Sequence, residues 1–219
     1  MFRSGGIDMY MGPPVLGAPD DLEQVIVEFI GGATRQLDIA VQELDSRAIA
    51  TAIIAAKQRR VAVRLILEGD YLVEAPGRPD PWTVGGDFEE NRTIHDAVLR
   101  AGIDVITDLN AAIFHQKFVV RDLGLPTAAV LTGSTNFTLT DTGKNTVTHG
   151  IGAGNNLNHV VILRGQRVTA QYAAEFDRLR SGTFGALHER RDPRPSEITL
   201  GGIRVKPVFA PDQVPRWRS

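Results

Sequence analysis

The apolar positions alternate between helical and strand-like spacing through the first two thirds of the chain. Leu22, Val25, Ile26 and Phe29 recur at three- and four-residue intervals and predict a helix over Leu22–Ile30, closed by Gly31-Gly32. Asp20 with Glu23 three residues on has the spacing of a capping box at its start. Leu37–Val41 reads as a strand. Asp45 or Ser46 then caps a second helix, rich in Ala and Ile, that runs to Arg59. Val61–Leu67 is a nearly continuous β-rich run, the pattern of a central strand covered on both faces. Strand, helix, strand in that order implies a crossover and a parallel or mixed sheet.

Gly69–Asp87 follows as a long loop with Pro76, Pro79, Pro81 and Gly85-Gly86. Loops of this length inside a domain are more often functional or mobile than idle. A third helix is predicted over Phe88–Arg100, short strands at Val105-Ile106 and Ala128–Thr132, and a polar loop over Leu139–Asn156. A strand over Val160–Leu163 and a helix over Val168–Arg180 complete the pattern. It is that of an α/β domain, a mixed β-sheet flanked by helices on both faces. The domain is expected to span residues 1–188, with a charged, Pro-rich linker over 189–200. Residues 201–219 read as the start of a second copy. There Gly201-Gly202-Ile203 and Pro207–Asp212 echo Gly5-Gly6-Ile7 and Pro14–Asp20.

The 219 residues suffice for a sizeable core, and 42% apolar and 23% charged residues are ordinary for a globular protein. A net charge of −2 gives no push toward nucleic acid. The absence of cysteine rules out disulfides, thiolate metal sites and a Cys nucleophile. No apolar run approaches the ~18–20 residues of a membrane span, and no signal peptide is visible; the compartment is left open, with the cytoplasm favoured.

The chemistry concentrates in His115-Gln116-Lys117 with Asp122, followed by Gly133-Ser134-Thr135-Asn136, that is H-x-K-x4-D and then G-S-x-N. Residues two apart on a strand share a face, so His115 and Lys117 project together while Phe118 and Val120 pack inward. A neutral imidazole can attack phosphorus, an ammonium can neutralise a phosphoryl oxygen, and Ser134, Asn136 and the turn amides can bind the remaining oxygens. Asp122, at the strand end, is grouped with His115 and Lys117 as an orienting residue. No ligand spacing suggests a metal, and no phosphate loop of the G-x-x-x-x-G-K-[ST] type occurs, so no cofactor is expected.

At these residues the chain resembles the phospholipase D superfamily, the HKD phosphodiesterases. The likeness extends to Asp38–Val41, Glu68–Tyr71 and Phe114–Phe118, and so over most of residues 14–180. Two departures stand out. The interval from Asp122 to Gly133 is long, with Leu123–Thr127 an inserted turn. Asn158, beside His159, stands where members often carry a supporting Glu. The resemblance implies a metal-free, two-step phosphoryl transfer through a covalent phosphohistidine, with a second H-x-K motif supplying the acid.

The chain has one such motif. His95, His149, His159 and His188 all lack a Lys two residues on. The site is therefore expected to be completed by a homodimer mate or by a second, C-terminal half. Asn158 and His159 are candidate supporting groups. The expected substrate is a nucleic acid or general phosphodiester. The alternatives are a phospholipid and a non-catalytic scaffold half.

Overall fold

The computed structural model describes residues 1–73, 77, 79–108, 112–149, 153–185 and 195–210. Its centre is an eight-stranded mixed sheet built from β1 (Phe2–Ser4), β2 (Ile7–Gly12), β3 (Gln36–Val41), β4 (Ala62–Leu67), β5 (Asp104–Thr107), β6 (Lys117–Arg121), β7 (Ala129–Gly133) and β8 (Asn158–Arg164). The spatial order is β1-β2-β8-β7-β6-β3-β4-β5. β3, β4 and β5 are parallel, joined by the expected crossovers, and all other pairings are antiparallel.

Strand alternation divides the core in two. One face turns Leu37, Ile39, Leu65, Val119 and Leu131 toward α1 (Leu22–Gly31), α2 (Arg47–Gln58) and α3 (Glu89–Arg100). The other turns Ala40, Ile66, Phe118, Val120 and Val130 toward the long helix near the C-terminus, Gln166–Arg180. The single turn α4 (Leu139–Thr142) precedes that helix, which is α5. Helices thus cover both faces.

Several local expectations are corrected. α1 is capped by Asp21, which accepts from Gln24 N at 3.2 Å. Asp20 is already engaged by Met11 N at 2.9 Å, and Glu23 turns to the Ser46 hydroxyl at 2.7 Å. The sheet also gains an N-terminal hairpin, β1–β2, turning at Gly5-Gly6.

A second hairpin, β9 (Ile198–Leu200) with β10 (Ile203–Val205), turns at Gly201-Gly202, so the expected boundary after residue 200 falls inside its turn. The two glycine pairs share one left-handed conformation, φ 55° and 87° against 51° and 88°. The turns pack tip to tip: a Cβ on Gly201 would lie 2.0 Å from the Gly5 Cα. Phe209, beyond β10, is buried against Phe118 and Tyr172. His188 and residues 189–194 of the expected linker lie outside the described residues, as do residues 211–219.

Candidate active site

The register places the chemistry on one rim of the sheet. Lys117, the first residue of β6, pairs with Val41, the last of β3. Gly133, the last of β7, pairs with Val160 of β8, and Gly12, the last of β2, pairs with Asn158, the first of β8. His115, Lys117, Ser134, Asn136, Asn158 and His159 therefore gather where β2, β3, β4 and β7 end and β6 and β8 begin.

Lys117 is buried, and its Nζ donates to Gln42 Oε1 at 3.0 Å. Burial pushes its pKa down to about 8, against the opposing charges of Asp141 and Glu43. His115 is exposed at the rim. Burial of part of its ring lowers its pKa below the ordinary histidine value; the Lys117 charge adds to this, and Asp141 opposes it. The imidazole is thus neutral at neutral pH, the state a nucleophile needs. A small recess of about 80 Å³, lined by Asp108, Phe114, Gln116 and Phe184, opens beside it. A larger cavity of about 690 Å³ runs between Trp82 and α3. It holds none of these groups.

The G-S-x-N turn sits where only glycine fits: a Cβ on Gly133 would meet the His159 carbonyl oxygen at 2.2 Å. Ser134 Oγ lies 2.8 Å from Asn158 Oδ1 and 3.0 Å from His159 Nδ1, and it accepts from His159 N at 3.1 Å. Asn158 and His159 thus brace Ser134, and among the described residues neither hydrogen-bonds to His115. Asn136 N donates to Asp141 at 2.8 Å, and Asn136 Oδ1 is buried with no partner among the described residues. A buried acceptor left open costs about 1–3 kcal/mol.

Asp122 is not brought to this rim. It lies just beyond the far end of β6, fully buried. Its carboxylate accepts from the backbone N–H groups of Thr34, Arg35 and Gln36 and the hydroxyls of Thr34 and Thr127. Burial alone would raise its pKa; these donors outweigh it and hold the pKa below the usual carboxylate range. Its work is to tie the β6–β7 turn to the start of β3.

Three residues outside the motif shape the site. Gln42 continues β3, its backbone bonded to Gln116 O on one side and Glu68 N on the other. Glu68, 2% exposed, accepts from Phe114 N and so fixes the approach to His115. Tyr71 accepts from Gln42 Nε2 at 2.6 Å. Among the described residues no group of three or more His, Cys, Asp and Glu side chains could hold a metal ion.

The structure thus joins a mixed sheet between helices to a rim that carries a His and a buried Lys at the head of one strand and a G-S-x-N turn at the end of the next. The family pattern described as "Cardiolipin synthase, PLD-like domain" matches residues 26–180, well over half of the chain. The chain belongs to the phospholipase D superfamily.

It is 30% identical over 153 residues to a mitochondrial cardiolipin hydrolase of Chlamydomonas reinhardtii and 28% over 156 residues to one of Xenopus laevis. The matches cover 70% and 71% of this chain but 55% and 59% of those proteins, so the chain spans little more than half of their length. Among solved structures, Nuc from Salmonella typhimurium shares the fold with a TM-score of 0.57 at 19% identity, over 80% of this chain and 93% of that one. NucT from Helicobacter pylori does so with 0.58 at 16%, over 80% and 96%.

Proposed function

We propose that the chain supplies half of a metal-independent phosphodiester hydrolase. An imidazole nitrogen of His115 attacks phosphorus, and the bond to the leaving oxygen breaks as an acid from a second half protonates it. Water then attacks the phosphohistidine, releasing a phosphomonoester and free His115. Lys117, Ser134, Asn136 and the turn amides hold the phosphoryl oxygens. The observation that carries this reading is the buried Lys117 ammonium two residues from a neutral, exposed imidazole, on the rim that also carries G-S-x-N.

The second half is a further unit of the same fold. The matching Gly-Gly hairpins support a unit in the same polypeptide, begun at residues 198–210. A two-fold pairing of this chain would supply the same groups.

A phospholipid now fits better than the nucleic acid expected from the sequence. The connections that leave the sheet at the site's end expose Val15, Leu16, Trp82, Val84, Ile113, Val147 and Leu157, apolar side chains that a lipid surface would take up. The acidic groups facing Lys117 are Glu43 and Asp141, which disfavours a long polyanion over a single diester. The names of the curated relatives point the same way.

The test is hydrolysis in EDTA of bis-p-nitrophenyl phosphate, of cardiolipin vesicles, and of single- and double-stranded DNA. Metal-independent turnover of the chromogenic diester and the vesicles is expected. Turnover of DNA alone would return the substrate to nucleic acid, and a strict need for a divalent metal would overturn the mechanism.

A further inference from the structure

Lys117 does not hold its place alone. Its Nζ donates to Gln42 Oε1 at 3.0 Å and, more weakly, to the His115 carbonyl at 3.4 Å. The Gln42 amide is oriented from behind, because its Nε2 donates to Tyr71 Oη at 2.6 Å. With Nε2 so engaged, the oxygen must face the lysine. Gln42 is 5% exposed, and its backbone is locked into the ladder between β6 and β4. The Tyr71 ring in turn packs edge-on against Phe88, centroids 5.1 Å apart, so both ends of the long 69–88 connection meet behind this chain of contacts.

We propose that Gln42, held by Tyr71, is the positioning residue of Lys117: it aims the ammonium at the phosphoryl site and keeps it charged. The inference rests on the phosphodiesterase reading for its catalytic consequence, though not for its effect on the lysine.

The surroundings explain why such a device is needed. The charged groups facing Lys117 are Glu43 beyond β3 and Asp141 on α4, with His115 on its own segment. Glu43 is itself pushed up to about 7, chiefly by burial and then by Asp45, so its anion is incomplete at neutral pH. Burial meanwhile works against the ammonium. The neutral Gln42 oxygen accepts from the charged form at every pH. A carboxylate there would bind Lys117 more tightly but would neutralise the charge meant for the substrate.

The test is a set of three variants, each checked for folding by thermal melt. In Gln42→Met the Lys117 pKa, followed by NMR of its side-chain Cε and Nζ, should fall by about one unit. The alkaline limb of kcat/KM should move down with it. Tyr71→Phe should move both in the same direction by less. Gln42→Glu should move both upward. A merely structural Gln42 would change the melting temperature and leave the Lys117 titration where it was. That result, or a downward shift in Gln42→Glu, would overturn the proposal. The NMR titration needs no turnover, so an inactive wild type would sink the phosphodiesterase reading and leave this measurement able to decide.

Discussion

Removing the Asp122 carboxylate should unfold the domain's base and leave the chemistry of the folded molecules alone. Five donors converge on it: three consecutive backbone N–H groups, of Thr34, Arg35 and Gln36, at 2.8–3.1 Å, and two threonine hydroxyls at 2.9 Å. The hydroxyls can rotate to other acceptors; the backbone groups cannot. Each of these part-buried donors costs up to about 1–3 kcal/mol when left open, and water entering the gap recovers part, so Asp122→Ala should lose roughly 3–5 kcal/mol. That is a large share of a typical ~5–15 kcal/mol stability.

Asp122→Asn separates charge from backbone, because Asn also tolerates the left-handed φ of 53° found here. It keeps one acceptor but turns an amide nitrogen toward donors, and should lose about 2–3 kcal/mol. The pH dependence follows from the depressed folded-state pKa. The stabilisation is complete above the unfolded carboxylate value and is lost as pH falls through the lower folded value, so the deficit of Asp122→Asn should shrink in acid. Urea unfolding from neutral to acidic pH measures this, with activity normalised to the folded fraction. Wild-type stability in Asp122→Ala would refute the bracing role. A well-folded Asp122→Asn with a hundredfold loss of activity would place the carboxylate in the chemistry.

Other substitutions probe the rim. His115→Ala should keep the melting temperature within a few degrees, since the side chain is exposed, and abolish turnover of a chromogenic diester. Gly133→Ala should cost about 2–4 kcal/mol, because its Cβ would overlap the His159 carbonyl and force β7 from β8; chemical denaturation reads the loss. Glu43, raised in the fold to about 7, binds its proton more tightly than in the unfolded chain. Stability should therefore fall as pH rises from about 4.5 to 7, and Glu43→Gln should flatten that slope by roughly 1–3 kcal/mol in denaturation curves across the range.

What could be read in the sequence was whatever lies close along the chain. Periodicity marks α1, α2, α3 and α5, because each buries one stripe, and β4, because it is covered on both faces. The H-x-K and G-S-x-N motifs are legible because residue type and spacing together specify the chemistry, and the sheet register brings both to one rim. The supports were not legible. Gln42 is 75 residues from Lys117 and Glu68 is 46 from Phe114, and only the strand order β6-β3-β4 makes them neighbours. Asp122 shares the motif's spacing, yet five residues of extended strand carry it to the opposite end of β6. The cap moved from Asp20 to Asp21 because a tertiary contact with Met11 N competes for the first carboxylate. The β1–β2 hairpin escaped because β1 has only three residues and β2 buries the charged Asp8 while exposing Met9; its Gly-Gly turn showed only as half of a repeat.

The metal-free covalent mechanism is tested most directly by trapping the intermediate. The chain is mixed in EDTA with a slow, radiolabelled phosphodiester, quenched in alkali, digested and mapped. The expected result is label on His115, stable to alkali, labile to acid and absent from His115→Ala. Turnover in EDTA with no label on His115, or label that persists in His115→Ala, would contradict it.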